Sequence, residues 1–232
     1  MTIGYGPTVV TDGLVLALDA ADRNSYPGSG ATWTDLSGNG NNGSLVNGVG
    51  YSGNNGGSLV FDGVDDYVNI LNVINNSEKT YSIWATLPSS GEQQIFSTGN
   101  SNFPGTCIGL TFNSTREGDS QVVASSLLYG TAGNTGTFGV TSGITSNTWH
   151  HFIITTNYSG NVTALYIDSV SYPSRTQLSR VYNEENNIRL GIRTLGNFRY
   201  TGNIAQVSIY NRALTASEIS QNFNALRGRF GI

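Results

Sequence analysis

Short runs in which apolar and polar residues alternate, each closed by a turn rich in glycine or asparagine, recur along this sequence. Alternation with period two sends every second side chain to the same face of a pleated strand, so such a chain builds sheets with one buried face. The runs begin with Leu14 to Asp19. Ser58 to Asp62 and Asp66 to Ile70 follow, separated by Gly63-Val64-Asp65, and Tyr81 to Leu87 alternates without a break. Gln94 to Ser97, Cys107 to Phe112 and Gln121 to Ala124 continue the pattern. Trp149 to Thr156, Val162 to Ile167, Ile188 to Ile192 and Ile204 to Tyr210 complete it. β-Branched and aromatic residues fill these runs, as a half-buried pleated surface prefers. Turn signals return about every 8–12 residues, the spacing of an all-β sandwich or barrel.

Two connections read as hairpins. Asn157 to Asn161 joins two strands, and Asp168-Ser169 sits where a two-residue turn closes the next pair. One helix stands out near the C-terminus. Thr215 serves as N-cap with Glu218 three residues on, a capping box, and Leu214 and Ile219 take the staple positions. Ile219, Phe223 and Leu226 then form one apolar stripe, and Gly228 is placed to end the helix. A single terminal helix cannot make a second domain, so it is expected to cover one face or end of a sandwich.

The chain has 232 residues, enough to bury a sizeable core without disulfide or metal. Charged residues make up 11%, against about 25% in a typical domain, and glycine is abundant at 30 residues. The net charge of −4 argues against broad nucleic-acid binding, which needs a basic footprint. Most acids fall early and most arginines late; a sandwich brings the two halves together and cancels the asymmetry, the alternative being a basic docking face. A single cysteine, Cys107, excludes an intrachain disulfide. The N-terminal residues lack the charged and apolar regions of a signal peptide, and no run approaches the length of a membrane span. The expected organisation is an N-terminal arm over residues 1–11, one sandwich over 12–226 and a tail over 227–232, the two ends being candidate docking arms.

Six stretches carry a resemblance. They are residues 13–19 (GLVLALD), 33–43 (WTDLSGNGNNG), 61–68 (FDGVDDYV), 147–152 (NTWHHF), 164–170 (ALYIDSV) and 203–219 (NIAQVSIYNRALTASEI). In this order and spacing the chain resembles the laminin-G-like, concanavalin A-like jelly-roll family over roughly residues 12–226. The resemblance implies an all-β, two-sheet antiparallel jelly-roll β-sandwich with one short C-terminal α-helix. Residues 22–30 (DRNSYPGSG) and 221–232 (QNFNALRGRFGI) further resemble virion-associated proteins of tailed phages of cyanobacteria. That likeness implies a capsid-decoration, head-fibre or tail-fibre subunit, made in a host cytoplasm without a signal peptide and carried on the virion surface. Its partners would be other virion proteins, further copies of itself, and a host-surface glycan, with no nucleic acid and no membrane insertion.

Catalysis finds little support in the residues. A retaining glycosidase needs two carboxyls about 5–5.5 Å apart, and no strand carries acids at a spacing that sets such a pair on one face. Glu184 and Glu185 are adjacent and would point to opposite faces of a strand. His150 and His151, the only two histidines, follow Trp149 into a strong strand with no nucleophile or orienting acid in sight, and no catalytic residue is assigned. The loop from Asp35 to Gly43 is the best binding candidate. Asp35, Asn39 and Asn41, joined by Asp62 of a second acidic turn, offer hard oxygens of the kind calcium prefers. The competing reading, which the residues favour, is a Gly/Asn turn held by Asx bonds. No cofactor is required. For a glycan, Tyr26, Phe103, Tyr129, Tyr158 and Tyr172 are the aromatics in or near loops able to stack on a sugar, unless they pack against the sandwich edge.

Overall fold

A computed structural model describes residues 7–71, 73, 78–88, 91, 93–98, 108–112, 125–129, 135–136, 144–157, 162–172, 187–192 and 198–232. The strands come in chain order as β1 (Leu14–Asp19), β2 (Thr32–Trp33), β3 (Gly43–Val46), β4 (Gly50–Ser52), β5 (Ser58–Asp62) and β6 (Tyr67–Leu71). They continue as β7 (Lys79–Thr86), β8 (Gln93–Thr98), β9 (Ile108–Phe112), β10 (Ser125–Tyr129) and β11 (Thr135–Gly136). The last are β12 (Trp149–Asn157), β13 (Val162–Ile167), β14 (Val170–Tyr172), β15 (Asn187–Leu190) and β16 (Thr201–Tyr210), followed by helix α1 (Ala216–Phe230). Among the described residues they form two eight-stranded antiparallel sheets. Sheet A runs β14-β13-β12-β7-β16-β5-β4, with β1 also on β16; sheet B runs β11-β10-β9-β8-β15-β6-β3-β2. The expected two-sheet antiparallel sandwich with one C-terminal helix is the fold observed. Gln121 to Ala124 and Cys107 lie outside the described residues.

The core fills the space between the sheets. Phe61, Ile83, Phe152 and Val207 of sheet A meet Val68, Ile70, Phe96 and Leu190 of sheet B in one cluster of fully buried side chains. Burying each such side chain is worth about 1.5–3 kcal/mol. The alternation places them: Val68 and Ile70 face in, so Tyr67, Asn69 and Leu71 face out.

Sheet A departs from the one-sided pattern. All eight residues of β7 are buried, the outward ones included. The cause is α1, which lies across the outer face of sheet A. Trp84 stacks on Phe230 at 4.3 Å and on His151 at 4.7 Å, while Ile153, Tyr210, Leu214 and Ile219 form a neighbouring cluster. The capping box at Thr215 and Glu218 is present. The helix continues past Gly228 and stops at Gly231, whose φ of 74° is the left-handed conformation glycine adopts without cost. Its last turn is held by tertiary contacts: Arg229 binds Asp19 at 2.7 Å and donates to the carbonyls of Asn55 and Gly57.

The N-terminal segment is fastened to the same helix. Gln221 Nε2 donates to Thr8 O, Val10 N donates to Asn222 Oδ1, and the Tyr210 hydroxyl donates to Val10 O. Arg212 pairs with Asp12 and Glu218. With Arg229 on Asp19, these pairs bring late arginines onto early acids, as a sandwich was expected to do.

Candidate functional site

The loop from Asp35 to Gly43 folds around one carboxylate. Asp35 Oδ1 accepts from Ala17 N at 2.8 Å and Ser37 N at 2.9 Å. Its Oδ2 accepts from the Ser37 hydroxyl at 2.8 Å and Asn41 N at 3.0 Å. Asn41 Nδ2 donates to Val15 O, and Asn39 Nδ2 to Leu14 O and Ser37 Oγ. Both Asp35 oxygens are therefore filled by protein donors, which is the Asx-bonded turn and not an open set of calcium ligands. Asp62 does not join this loop. The Asp35 loop enters β3 at Gly43, while the turn after Asp62 is tied to its far end, where Asn47 Nδ2 donates to Asp65 O at 3.1 Å.

The loop aromatics separate. Tyr26 is 3% exposed, and its hydroxyl donates to Gly30 O. Its ring packs against Tyr51 at 5.5 Å, and Tyr51, a residue the sequence did not single out, is the one exposed to solvent. Tyr26 thus presents no platform to a sugar. Tyr129 lies on β10 opposite Thr135. Phe103, Tyr158, Glu184 and Glu185 lie outside the described residues.

The two histidines take opposite faces of β12, and both are buried. His151 faces α1, with its Nε2 2.8 Å from the Ser82 hydroxyl and, among the described residues, no partner at Nδ1. Burial without a counter-charge in contact holds its pKa down at about 3, against a smaller opposing pull from Asp168. His150 lies toward the core edge. Its Nδ1 is 2.6 Å from Asp168 Oδ2, and its Nε2 is 3.0 Å from Thr148 Oγ1 and 3.1 Å from Thr145 O. Here the fold supplies the orienting acid and the hydroxyl that the linear sequence lacked. The hydroxyl, however, donates to Thr145 O at 2.6 Å, and Asp168 also accepts from His151 N. These bonds tie the β12 start to the β13–β14 turn.

The outward face of sheet B has a different chemistry. Strand pairing sets Ser44, Asn69, Arg189 and Ser97 on one transverse row across four strands. The neighbouring row pairs Leu71 with Asn187, and Val46 with Tyr67 lies on the other side. Arg189 stands over the Tyr67 ring, its guanidinium carbon 5.2 Å from the centroid. Tyr67, Asn69, Asn187 and Arg189 are half-buried and Leu71 is 52% exposed. Among the described residues, Asn69 Oδ1 and Asn187 Oδ1 have no hydrogen-bond donor. Unmet carbonyl oxygens away from water cost about 1–3 kcal/mol each. Two amides, a guanidinium and an aromatic ring on one rigid sheet face can hold a polyhydroxylated ligand through paired hydrogen bonds and a stacking surface.

The sequence profile described as the concanavalin A-like lectin/glucanases superfamily matches residues 61–220. No curated protein matches the sequence. Among solved structures, domain 4 of AbnA, a GH43 extracellular arabinanase from Geobacillus stearothermophilus, in complex with arabinotriose, superposes with a TM-score of 0.71. It shares 16% identity over 91% of this chain and 98% of that one. The receptor-binding domain of botulinum neurotoxin type G gives 0.66 at 16% identity, over 91% of this chain and 51% of that one. Trypanosoma rangeli sialidase, in complex with 2,3-difluorosialic acid, gives 0.68 at 19% identity, over 95% of this chain and 34% of that one. The chain therefore spans about half of the toxin domain and about a third of the sialidase. At these identities the likeness is one of fold.

Proposed function

The chain belongs to the concanavalin A-like lectin/glucanase superfamily, and we propose that it is a non-catalytic carbohydrate-binding module. Its recognition face would be the outer surface of sheet B around Tyr67, Asn69, Asn187 and Arg189. The observation that carries this reading is the row of amide and guanidinium groups beside an aromatic ring, with two amide oxygens lacking donors. The two amides would turn their buried oxygens outward to accept from hydroxyl groups of a sugar, and the arginine would bridge vicinal hydroxyls. An arabinanase domain in complex with arabinotriose and a toxin receptor-binding domain share this fold, which supports the reading. The test is titration calorimetry against arabinotriose and a panel of neutral and acidic oligosaccharides. Asn69→Ala and Arg189→Gln should each weaken binding by about 10-fold, the loss of one charge-assisted or paired hydrogen bond. Tyr51→Ala, on the edge strand of sheet A, should leave it unchanged. A wild-type chain silent across the panel, or variants that bind as well as it does, would sink the reading.

The wording of residues 22–30 and 221–232 supports a second, wider proposal, that the module is displayed on a virion surface. Mass spectrometry of purified particles should then contain the chain, and its absence from them would end this proposal while leaving carbohydrate binding intact.

A further inference from the structure

Part of the interface between α1 and sheet A is polar. Ser82 of β7, His151 of β12, Gln206, Ser208 and Tyr210 of β16, and Asn222 of α1 line one narrow pocket there. Ser82 Oγ lies 2.8 Å from His151 Nε2, Gln206 Nε2 donates to Ser208 Oγ, and Asn222 Nδ2 donates to the Tyr210 hydroxyl at 3.0 Å. Two atoms of these residues have no partner among the described residues, His151 Nδ1 and Gln206 Oε1. His151 is 1% exposed and Gln206 7%. The space between the two sheets is filled differently, by the apolar cluster that holds Phe61, Ile83, Phe96 and Leu190. The helix is therefore fastened less completely than the sheets are to each other.

His151 is the group in this pocket whose charge changes in mildly acid solution. Its ring stacks on Trp84 at 4.7 Å and on Phe223 at 6.2 Å. Among the described residues few charges surround it. β7 presents Ser82 and Trp84 and the N-terminal segment presents Val9, none of them charged. β16 brings the Tyr210 phenol, which burial keeps protonated. α1 brings Arg227, whose guanidinium carbon lies 5.9 Å from the Phe223 ring centre, while Glu218 and Arg212 pair with each other at the helix start. Asp168 accepts from the His151 backbone N and does not touch the ring. An imidazolium here would be a buried cation with no anion in contact, an arrangement that costs far more than a solvated charge. Burial, the larger influence, holds the ring neutral against the weaker pull of Asp168. Lifting the helix would hydrate the ring, and α1 contributes no rung to either sheet, so the ladders need not break.

We propose that α1 is an acid-released cover of sheet A, with His151 beneath it as the trigger. A proton on the imidazole shifts the helix toward an undocked state in which the sheets stay paired and Trp84, Ile153 and Tyr210 meet solvent. In the undocked state the ring titrates at its ordinary value of 6.5. Below that pH the undocked state binds a proton that the docked state does not. The undocking equilibrium then rises about tenfold per pH unit, or about 100-fold between pH 6.5 and 4.5. Glu218, held down at about 2 first by Arg212, keeps its charge throughout this window.

The experiment follows backbone hydrogen exchange in the full chain by mass spectrometry from pH 7 to 4.5, each rate divided by that of an unstructured peptide. Peptides of α1 should lose about 100-fold in protection, while those of β7 and β12 keep theirs. His151→Gln should hold the helix at constant protection across the window. His150→Gln, on the opposite face of the same strand, should retain the wild-type loss. The wild-type chain decides even if His151→Gln fails to fold. Helix and strands losing protection together, or a helix fully protected down to pH 4.5, would overturn the proposal. So would a folded His151→Gln chain that still loses helix protection, or a His150→Gln chain that does not.

Discussion

At His151 a neutral imidazole is sealed between Trp84, Phe223 and Ser82. Its folded pKa, about 3, lies below the ordinary value of 6.5, so below pH 6.5 the unfolded chain binds a proton that the folded chain does not. Stability is then full above pH 6.5 and is lost as pH falls toward the folded value, at about 1.4 kcal/mol per pH unit once well below 6.5. Glu218, held down at about 2 first by Arg212 and then by the Thr215 backbone, loses its contribution only as pH falls from the ordinary 4.5 toward that value. Between pH 6.5 and 5 His151 contributes a slope of this sign and Glu218 does not, and chemical denaturation of His151→Gln across that window should show the slope reduced. An unchanged slope would contradict this account. The same residues show what a linear sequence conceals. Tyr26 reads as a loop aromatic because glycines surround it, yet Tyr51 covers it. At Asp35 the sequence favours an Asx-bonded turn over a calcium ligand but does not reveal which donors fill the carboxylate, among them Ala17 N from a distant strand.

Single elements were more legible than single side chains. The bounds of β1, β5 and β13 follow directly from alternation between turn residues, a purely local signal. The short strands β2, β3, β4 and β11 are not legible, because two to four residues carry too little periodicity to register. The β13–β14 turn is the expected two-residue connection, with Ile167 paired to Val170 and both Asp168 and Ser169 at positive φ, 51° and 64°. That is a type I′ turn without its usual glycine. Asp168 is compensated by its bonds to His150 and His151 N. Ser169 has no such role, so Ser169→Gly should raise stability by about 1 kcal/mol, the left-handed cost of an L-residue. A lower melting temperature for Ser169→Gly would show that the serine side chain contributes something its geometry does not reveal. The helix end was misplaced at Gly228 because the stop depends on Phe230 and Arg229 finding partners on β7 and β1, which lie far back in the sequence.

For the molecule as a whole, the sandwich was legible and the candidate binding face was not. Asn69 and Arg189 become neighbours only when β6 pairs with β15, a long-range contact that no local pattern announces. The second layer over sheet A was foreseen only as a helix that caps something. It covers Trp84, Ile153 and Tyr210, which would otherwise be an apolar outer face. A chain ended after Ala213 should therefore aggregate or bind a hydrophobic dye such as ANS, and should lose the cooperative melt of the full chain. A monomeric, dye-silent truncation with the same melting temperature would refute that role for α1.

The bonds between residues 8–12 and the helix have a practical corollary. The segment 8–12 and the last helical turn both sit against sheet A, on the side remote from Tyr67 and Arg189. The helix and this segment form the back of the domain, and the opposite sheet is its front.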